Sequence, residues 1–161
     1  MLFRSFQSED PSLRFDIGPF AGGFEIAAVR TTRLGESRSS SRLAFVYGSE
    51  AGTDEVYFAW HGAELFELPI AWLASSGEWG CTKINPRGEG HFGRPATRRC
   101  LECHNTFFEM PAGGDHEFAP DSFMLGVTCE SCHGPGSDHA GKHRAEGGRD
   151  SPESIVHPGR L

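Results

Sequence analysis

Apolar and polar residues alternate along the first half of the chain with the two-residue period of β-strands. In "SRLAFVYG", apolar side chains recur at every second position from Leu43 to Tyr47. In "DEVYFAWHG" they recur in the same way from Val56 to Trp60. This pattern predicts two strands that each bury one face.

Glycines separate these segments and predict where the chain turns. His61-Gly62 predicts a two-residue hairpin turn before the next apolar run, "AELFELPIAW", because glycine tolerates the positive φ that such turns require. Upstream, "LRFDI" and "GFEIAAVR" are predicted as weaker strands on either side of "GPFAGG". The first half is therefore expected to form an antiparallel meander of about three to five strands between residues 13 and 70.

The second half has little long periodicity. From residue 85 onward the chain is mostly Gly, Pro, Ser and charged residues, with short apolar runs around Phe107 and Phe123. The segment "RRCLECH" predicts one or two helical turns, and "SPESIV" predicts a helix start at Ser151 and Pro152. The stretches "GEWGCTKINPRGEGHFGRP" and "MPAGGDHEFAPD" are typical of loops.

The expected fold class is α+β, with a β-rich part over residues 1–85 and a loop-rich, sparsely helical part over residues 86–161. A segment so poor in aliphatic side chains does not offset its own conformational entropy. The sequence therefore predicts that the second part folds around a non-protein group.

Length and charge restrict the function further. A chain of 161 residues favours one domain, or a small domain with an appendage. The net charge of −7 makes nucleic acid an unexpected partner, because phosphate binding needs a basic face. No apolar run is long enough to span a membrane. The start, "MLFRSFQSED", lacks the features of a secretory signal, so an exported protein is expected to carry its signal outside this chain.

Four of the five cysteines form two copies of one motif. Cys100 and Cys103 precede His104, and Cys129 and Cys132 precede His133, with Cys-x-x-Cys-His spacing in both cases. This is the attachment signature of c-type haem. In one helical turn, residues i, i+3 and i+4 share a face, so both thiols can reach the vinyl groups while the histidine reaches the iron. The motifs predict two covalent c-type haems, with His104 and His133 as proximal iron ligands.

Two other interpretations compete with haem attachment. A four-cysteine zinc site would make the chain a zinc-stapled interaction domain, but the 25 residues between the pairs exceed the usual spacing, and both histidines would be coincidental. A disulfide or thioredoxin-like redox motif favours a strand–helix context that this sequence does not show.

The segments "FELPIAW", "RPATRRCLECHN", "GVTCESCHGPGSDH" and "IVHPGRL" resemble the multihaem c-type cytochromes related to the tetrahaem cytochrome of ammonia oxidisers. The resemblance is specific at the Cys-His-Gly-Pro-Gly-x-x-His run and loose in the first forty residues. It implies an internal piece of a larger protein with further haem motifs on both sides. It also implies that His139 ligates a neighbouring haem, such as the one on the first motif. One departure is that "YGSEAGTDEVYF" lacks a histidine that related chains carry after a Gly-Ser dipeptide.

Several residues are candidates for the second axial position on the irons. His139 is the preferred one, because Gly134, Pro135 and Gly136 turn the chain sharply after the second motif. His143 would share a helical face with His139, and His116 lies in a Gly-rich loop between the motifs. Weaker candidates are His61, His91, His157 and Met110.

Two functions follow from these expectations. The preferred one is an electron carrier, because six-coordinate haems need no substrate pocket and spare histidines are available. Its partners would be redox proteins or further haem domains of the same polypeptide, in the periplasm or outside a bacterial cell. The alternative is an oxidoreductase subunit in which one haem stays open to a small nitrogen or sulfur compound, with His116 or Arg94 as proton donor.

Overall fold

The computed structural model describes residues 4–48, 51–82, 94–111, 114, 116–145, 147 and 155–156. Within these ranges it is mostly antiparallel β-sheet, followed by three short helices. No helix in these ranges is long and apolar enough to cross a membrane.

The first sheet has four strands in the order of the chain. They are β1 (Arg4–Gln7), β2 (Leu13–Phe20), β3 (Gly23–Thr32) and β4 (Gly35–Arg42). Each strand runs antiparallel to the next. Ala21 and Gly22 connect β2 to β3, and both have positive φ, 34° and 87°. That geometry matches the right-handed twist of the flanking strands, which favours such tight hairpins.

The second sheet has five strands. They are β5 (Phe45–Tyr47), β6 (Glu55–His61), β7 (Glu64–Leu73), β8 (Glu78–Cys81) and β9 (Arg94–Pro95). The path runs β5-β6-β7-β8, and β9 also pairs with β7. β9 is the strand that leads directly into the first Cys-x-x-Cys-His motif, so this pairing ties the motif segment to the sheet.

The two sheets pack face to face around a buried core. This core takes residues from β2 and β3 on one side and from β6 and β7 on the other: Leu13, Phe15, Ile17, Ile26, Ala28, Tyr57, Ala59, Leu68 and Ile70. Because side chains alternate along a strand, the remaining residues of β6 and β7 point away from the first sheet. The second sheet therefore has another apolar face available.

The motif segment covers that other face. It comprises α1 (Arg98–His104), β10 (Asn105–Phe107), a 3₁₀ turn (Pro120–Ser122), β11 (Met124–Leu125), α2 (Glu130–His133) and α3 (Ser137–Ala145). A second buried cluster joins it to the sheet through Phe58, Leu65, Ala96, Leu101 and Phe118. Phe45, Tyr47, Trp60, Phe108, Met110 and Phe123 pack around this cluster.

The α+β expectation is confirmed as antiparallel sheets with few helices, but the single meander of about three to five strands is wrong. The strands divide into two sheets, and β4, with the sequence "GESRSSSR", was not predicted because it is almost wholly exposed and has no apolar alternation. The β6–β7 turn lies at Gly62 and Ala63, since His61 still pairs with Glu64.

The predicted loop "GEWGCTKINPRGEGHFGRP" also needs correction, because it contains β8 and β9. The helix expected in "RRCLECH" is confirmed as α1. The predicted helix start at Ser151 and Pro152 lies outside the described residues. The boundary at residue 85 stays a prediction.

Candidate cofactor-binding site

The first motif lies on a short helix fixed at both ends. Thr97 is the N-cap of α1, and the Cys100 amide donates to Thr97 Oγ1 at 3.4 Å. Thr97 Oγ1 is also 3.2 Å from the Cys100 sulfur. At the other end the Asn105 amide donates to the Leu101 carbonyl. Such caps satisfy backbone groups that a helix of two turns leaves unpaired.

Leu101 determines which side of α1 faces the protein. Its side chain is fully buried in the cluster against the second sheet. By helical periodicity Cys100, Cys103 and His104 lie along one side of the helix, and Cys103 points most directly away from Leu101. Cys103 and His104 are exposed and Cys100 is half-buried. The motif thus presents the Cys103 thiol and the His104 imidazole to solvent, while the Cys100 thiol is partly covered. All three groups lie on one side of the helix, as attachment of a flat ligand requires.

Tyr47 and Asn105 support His104 from the protein side. The Tyr47 and His104 rings stack with centroids 5.1 Å apart. The Tyr47 hydroxyl and the Asn105 side-chain amide are hydrogen-bonded to each other, and Asn105 Nδ2 also donates to the Leu101 carbonyl at 3.1 Å. Burial raises the pKa of the Tyr47 phenol, so the hydroxyl stays protonated at neutral pH.

The second motif is more exposed. Cys129 precedes α2, and both Cys129 and Cys132 are exposed. The helix ends after four residues at Gly134, whose φ of 70° suits glycine, and the Gly134 amide donates to the Glu130 carbonyl. No residue of α2 is buried. This motif therefore lacks the anchoring that Leu101 gives to the first.

His133 is oriented by a distant backbone segment. Its Nδ1 lies 2.8 Å from the Val156 carbonyl oxygen, and the Val156 amide donates to the His133 carbonyl at 3.1 Å. An imidazole that donates through Nδ1 keeps Nε2 as the free lone pair for a metal. Val156 thus holds His133 in the tautomer of an iron ligand.

The candidate distal ligands lie on different elements. His139 and His143 are both on α3, with ring centroids 6.2 Å apart, so the expected shared face is present. His116 Nδ1 lies 3.4 Å from the Ala96 carbonyl, two residues before α1. The His61 ring contacts Phe66 on the second sheet. His91 and His157 lie outside the described residues.

A zinc site receives no support from the geometry. In the part of the chain that the structure describes, which includes all four motif cysteines, no three Cys, His, Asp or Glu side chains come together as metal ligands. A structural zinc ion is held by four such ligands in a tetrahedral arrangement.

The surroundings of the motifs fit an apolar planar ligand. Large apolar side chains near them are exposed: Phe107 at 50%, Met124 at 46%, Leu125 at 44%, Val127 at 63% and Val156 at 43%. Apolar surface exposed next to a binding motif is typical of a place where another group binds. The thiols, the imidazoles and these side chains together suit covalently attached haem.

Arg94, the proposed proton donor of an open site, has another partner. Its guanidinium is 2.7 Å from a carboxylate oxygen of Glu67 on β7. Burial raises the pKa of Glu67, while Arg94 opposes that shift. This ion pair holds Arg94 against the second sheet.

Sequence reasoning did not identify Tyr47, Asn105, Thr106 or Val156 as parts of the site. Tyr47 and Val156 are far from the motifs in sequence and reach them only through the fold. Asn105 follows the first motif directly, and its position as helix C-cap is the one signal that was available.

Part of this chain is similar to known proteins. Residues 82–134 match the family described as "Cytochrome c554 and c-prime". Cytochrome c-554 of Nitrosomonas europaea is 44% identical over 48 residues, which are 30% of this chain and 20% of that protein. The crystal structure of outer cell wall cytochrome OcwA is similar over 65% of this chain and 20% of the OcwA chain, with 26% sequence identity and a TM-score of 0.41.

The resemblance to multihaem c-type cytochromes is thus confirmed over residues 82–134, a segment that contains both Cys-x-x-Cys-His motifs. The chain matches only about a fifth of the length of the curated relative. A c-type cytochrome family implies covalently bound haem.

Proposed function

We propose that this chain transfers electrons by means of two covalently attached c-type haems. The observation that carries the proposal is that both Cys-x-x-Cys-His motifs fall within the segment similar to cytochrome c554, residues 82–134, and lie on short helices with at least one exposed thiol each. Attached haem would supply one-electron redox chemistry at each motif.

In this proposal, Cys100 and Cys103 hold one haem and Cys129 and Cys132 hold the other. His104 and His133 are the proximal ligands. The fold orients both histidine side chains: Tyr47 stacks on the His104 ring, and the Val156 carbonyl accepts a hydrogen bond from His133 Nδ1. A carbonyl acceptor such as that of Val156 fixes the ring orientation of a ligating histidine.

The distal ligand of at least one haem is proposed to be His139. It lies on α3, which follows Gly134, Pro135 and Gly136 at the end of the second motif. His143 and His116 are weaker candidates for a remaining position. Two filled axial positions favour electron transfer, because the iron then has no site for a substrate.

Location and partners are part of the same proposal. Covalent attachment takes place on exported chains, so we place the protein in the periplasm or outside the cell. Its partners would be redox proteins or further haem domains of the same polypeptide.

Low-temperature electron paramagnetic resonance on the oxidised protein tests this function. Two filled axial positions give low-spin ferric signals only. A stoichiometric high-spin signal would show an open haem and would favour an oxidoreductase subunit instead. A colourless protein with one bound zinc would favour the interaction domain.

A further inference from the structure

Thr106 connects the two motifs through its hydroxyl group. It lies on β10, two residues after His104. Its hydroxyl donates to the Gly126 carbonyl at 2.8 Å. It accepts from the Thr128 amide at 2.9 Å and from the Ser131 hydroxyl at 3.1 Å. The Thr128 hydroxyl is also 3.0 Å from this oxygen, so four polar atoms of residues 126–131 surround it. An oxygen with one proton and two lone pairs then has no unused hydrogen-bonding capacity.

The partners of Thr106 lie within the second motif or just before it. Thr128 immediately precedes Cys129, and Ser131 lies between Cys129 and Cys132. A direct backbone contact reinforces the connection, since the Gly126 amide donates to the carbonyl of His104 at 3.1 Å. The two attachment sequences, 25 residues apart in the chain, thus meet around one side chain.

This hydrogen-bond network around Thr106 lies in a part of the molecule with little buried packing. All residues of α2 lack burial, and β10 and β11 are only three and two residues long. Thr106 and Ser131 also line a cleft of about 360 Å³, together with Arg98, Glu102 and Phe107. Directed hydrogen bonds between these residues therefore contribute to the relative position of the two motifs.

We propose that Thr106 is a positioning residue that fixes the second haem relative to the first, and thereby sets the interaction between them. The inference rests on the proposed function, because it presumes that both motifs carry haem. Thr106 would touch neither iron nor porphyrin in this role. It would act through Thr128 and Ser131 on the backbone that carries Cys129 and Cys132.

The test compares two substitutions of Thr106. Thr106→Val keeps the shape of the side chain and removes the hydroxyl, whereas Thr106→Ser keeps the hydroxyl and removes the methyl group. Thr31→Val on β3 is the matched control, since the Thr31 hydroxyl lies 3.5 Å from the carboxylate of the exposed Glu36, away from both motifs. Intact mass first establishes that each variant of the full chain carries both haems. The readouts are the separation between the two reduction steps and the magnetic interaction between the ferric haems.

We expect Thr106→Val to change both readouts with both haems attached, and Thr106→Ser and Thr31→Val to match the wild type. Exchange of the Thr128 amide should be about tenfold faster in Thr106→Val, as the loss of one hydrogen bond predicts. Wild-type redox and magnetic behaviour in Thr106→Val would overturn the proposal.

A second variant is used if Thr106→Val does not acquire both haems. Ser131→Ala removes one bond of the network, and an unchanged separation of the reduction steps in Ser131→Ala would then overturn the proposal. A wild-type chain without haem would instead refute the proposed function, which the mass measurement shows separately.

Discussion

Single residues on the protein side of each motif orient its histidine. Tyr47 stacks on His104, and the Val156 carbonyl accepts from His133. Neither contact can be inferred from the Cys-x-x-Cys-His spacing, because each partner is remote in sequence. The motif specifies the thiol and imidazole groups, whereas the fold determines the orientation of the imidazole rings.

The assignment of His139 as a distal ligand leads to a prediction at this scale. His139→Ala should open one axial position and convert about one haem per chain from low to high spin, measured by electron paramagnetic resonance. The matched control is Lys142→Ala, at an exposed position of the same helix. Unchanged low-spin signals in His139→Ala would contradict the assignment.

Tyr47 gives a second prediction. Tyr47→Phe keeps the ring but removes the hydroxyl that bonds to Asn105, a residue only 3% exposed. An unpaired buried amide oxygen costs about 1–3 kcal/mol, so the free energy of unfolding in denaturant should fall by that amount. A variant as stable as the wild type would show that Asn105 finds another partner.

At the scale of elements, α1 is anchored on the second sheet by one side chain. Leu101→Ala should lower the free energy of unfolding by about 2–5 kcal/mol, because it leaves a cavity in the buried cluster. Glu102→Ala is the control on the exposed side of the same helix, where its carboxylate pairs with Arg98 at 2.7 Å. Exposed ion pairs contribute at most about 1 kcal/mol, so equal losses in the two variants would contradict the anchoring role of Leu101.

The end of α2 depends on the left-handed backbone of Gly134. Gly134→Ala should cost about 1 kcal/mol in stability, because a Cβ disfavours the positive φ, and relief of that strain should shift the adjacent His133. The added Cβ would itself make only an ordinary contact, 3.6 Å from Val156 Cγ2. Gly62→Ala at the β6–β7 turn has a similar φ, 65°, without nearby atoms. We expect both variants to lose stability, but Gly134→Ala alone to alter the spectrum of the second haem.

The sequence predicted those elements whose signal is local. Alternating apolar residues predicted β6 and β7, and the motif predicted α1. β4 was missed because its exposed serines form a strand only through pairing with β3. The division into two sheets was missed because it depends on which faces of β2, β3, β6 and β7 meet, and alternation alone does not fix that.

At the scale of the whole molecule, the two parts of the chain differ in how they cover their apolar side chains. The sandwich has a protein core between its sheets, whereas the outer part of the motif segment has exposed apolar side chains and helices without buried residues. In a chain with all four motif cysteines replaced by alanine, residues 4–82 should keep their protection from amide exchange. Residues 124–145 should lose theirs, because no ligand covers their apolar surface. Equal protection of both regions with and without the cysteines would contradict this division.

The most direct test of the account is the intact mass of the chain purified from a host that matures c-type cytochromes. The account predicts a mass increase equal to two haem groups that persists through acid and organic extraction, because each haem is bound by thioether links at Cys100 and Cys103 or at Cys129 and Cys132. A folded, colourless chain at the mass of the polypeptide alone would contradict it.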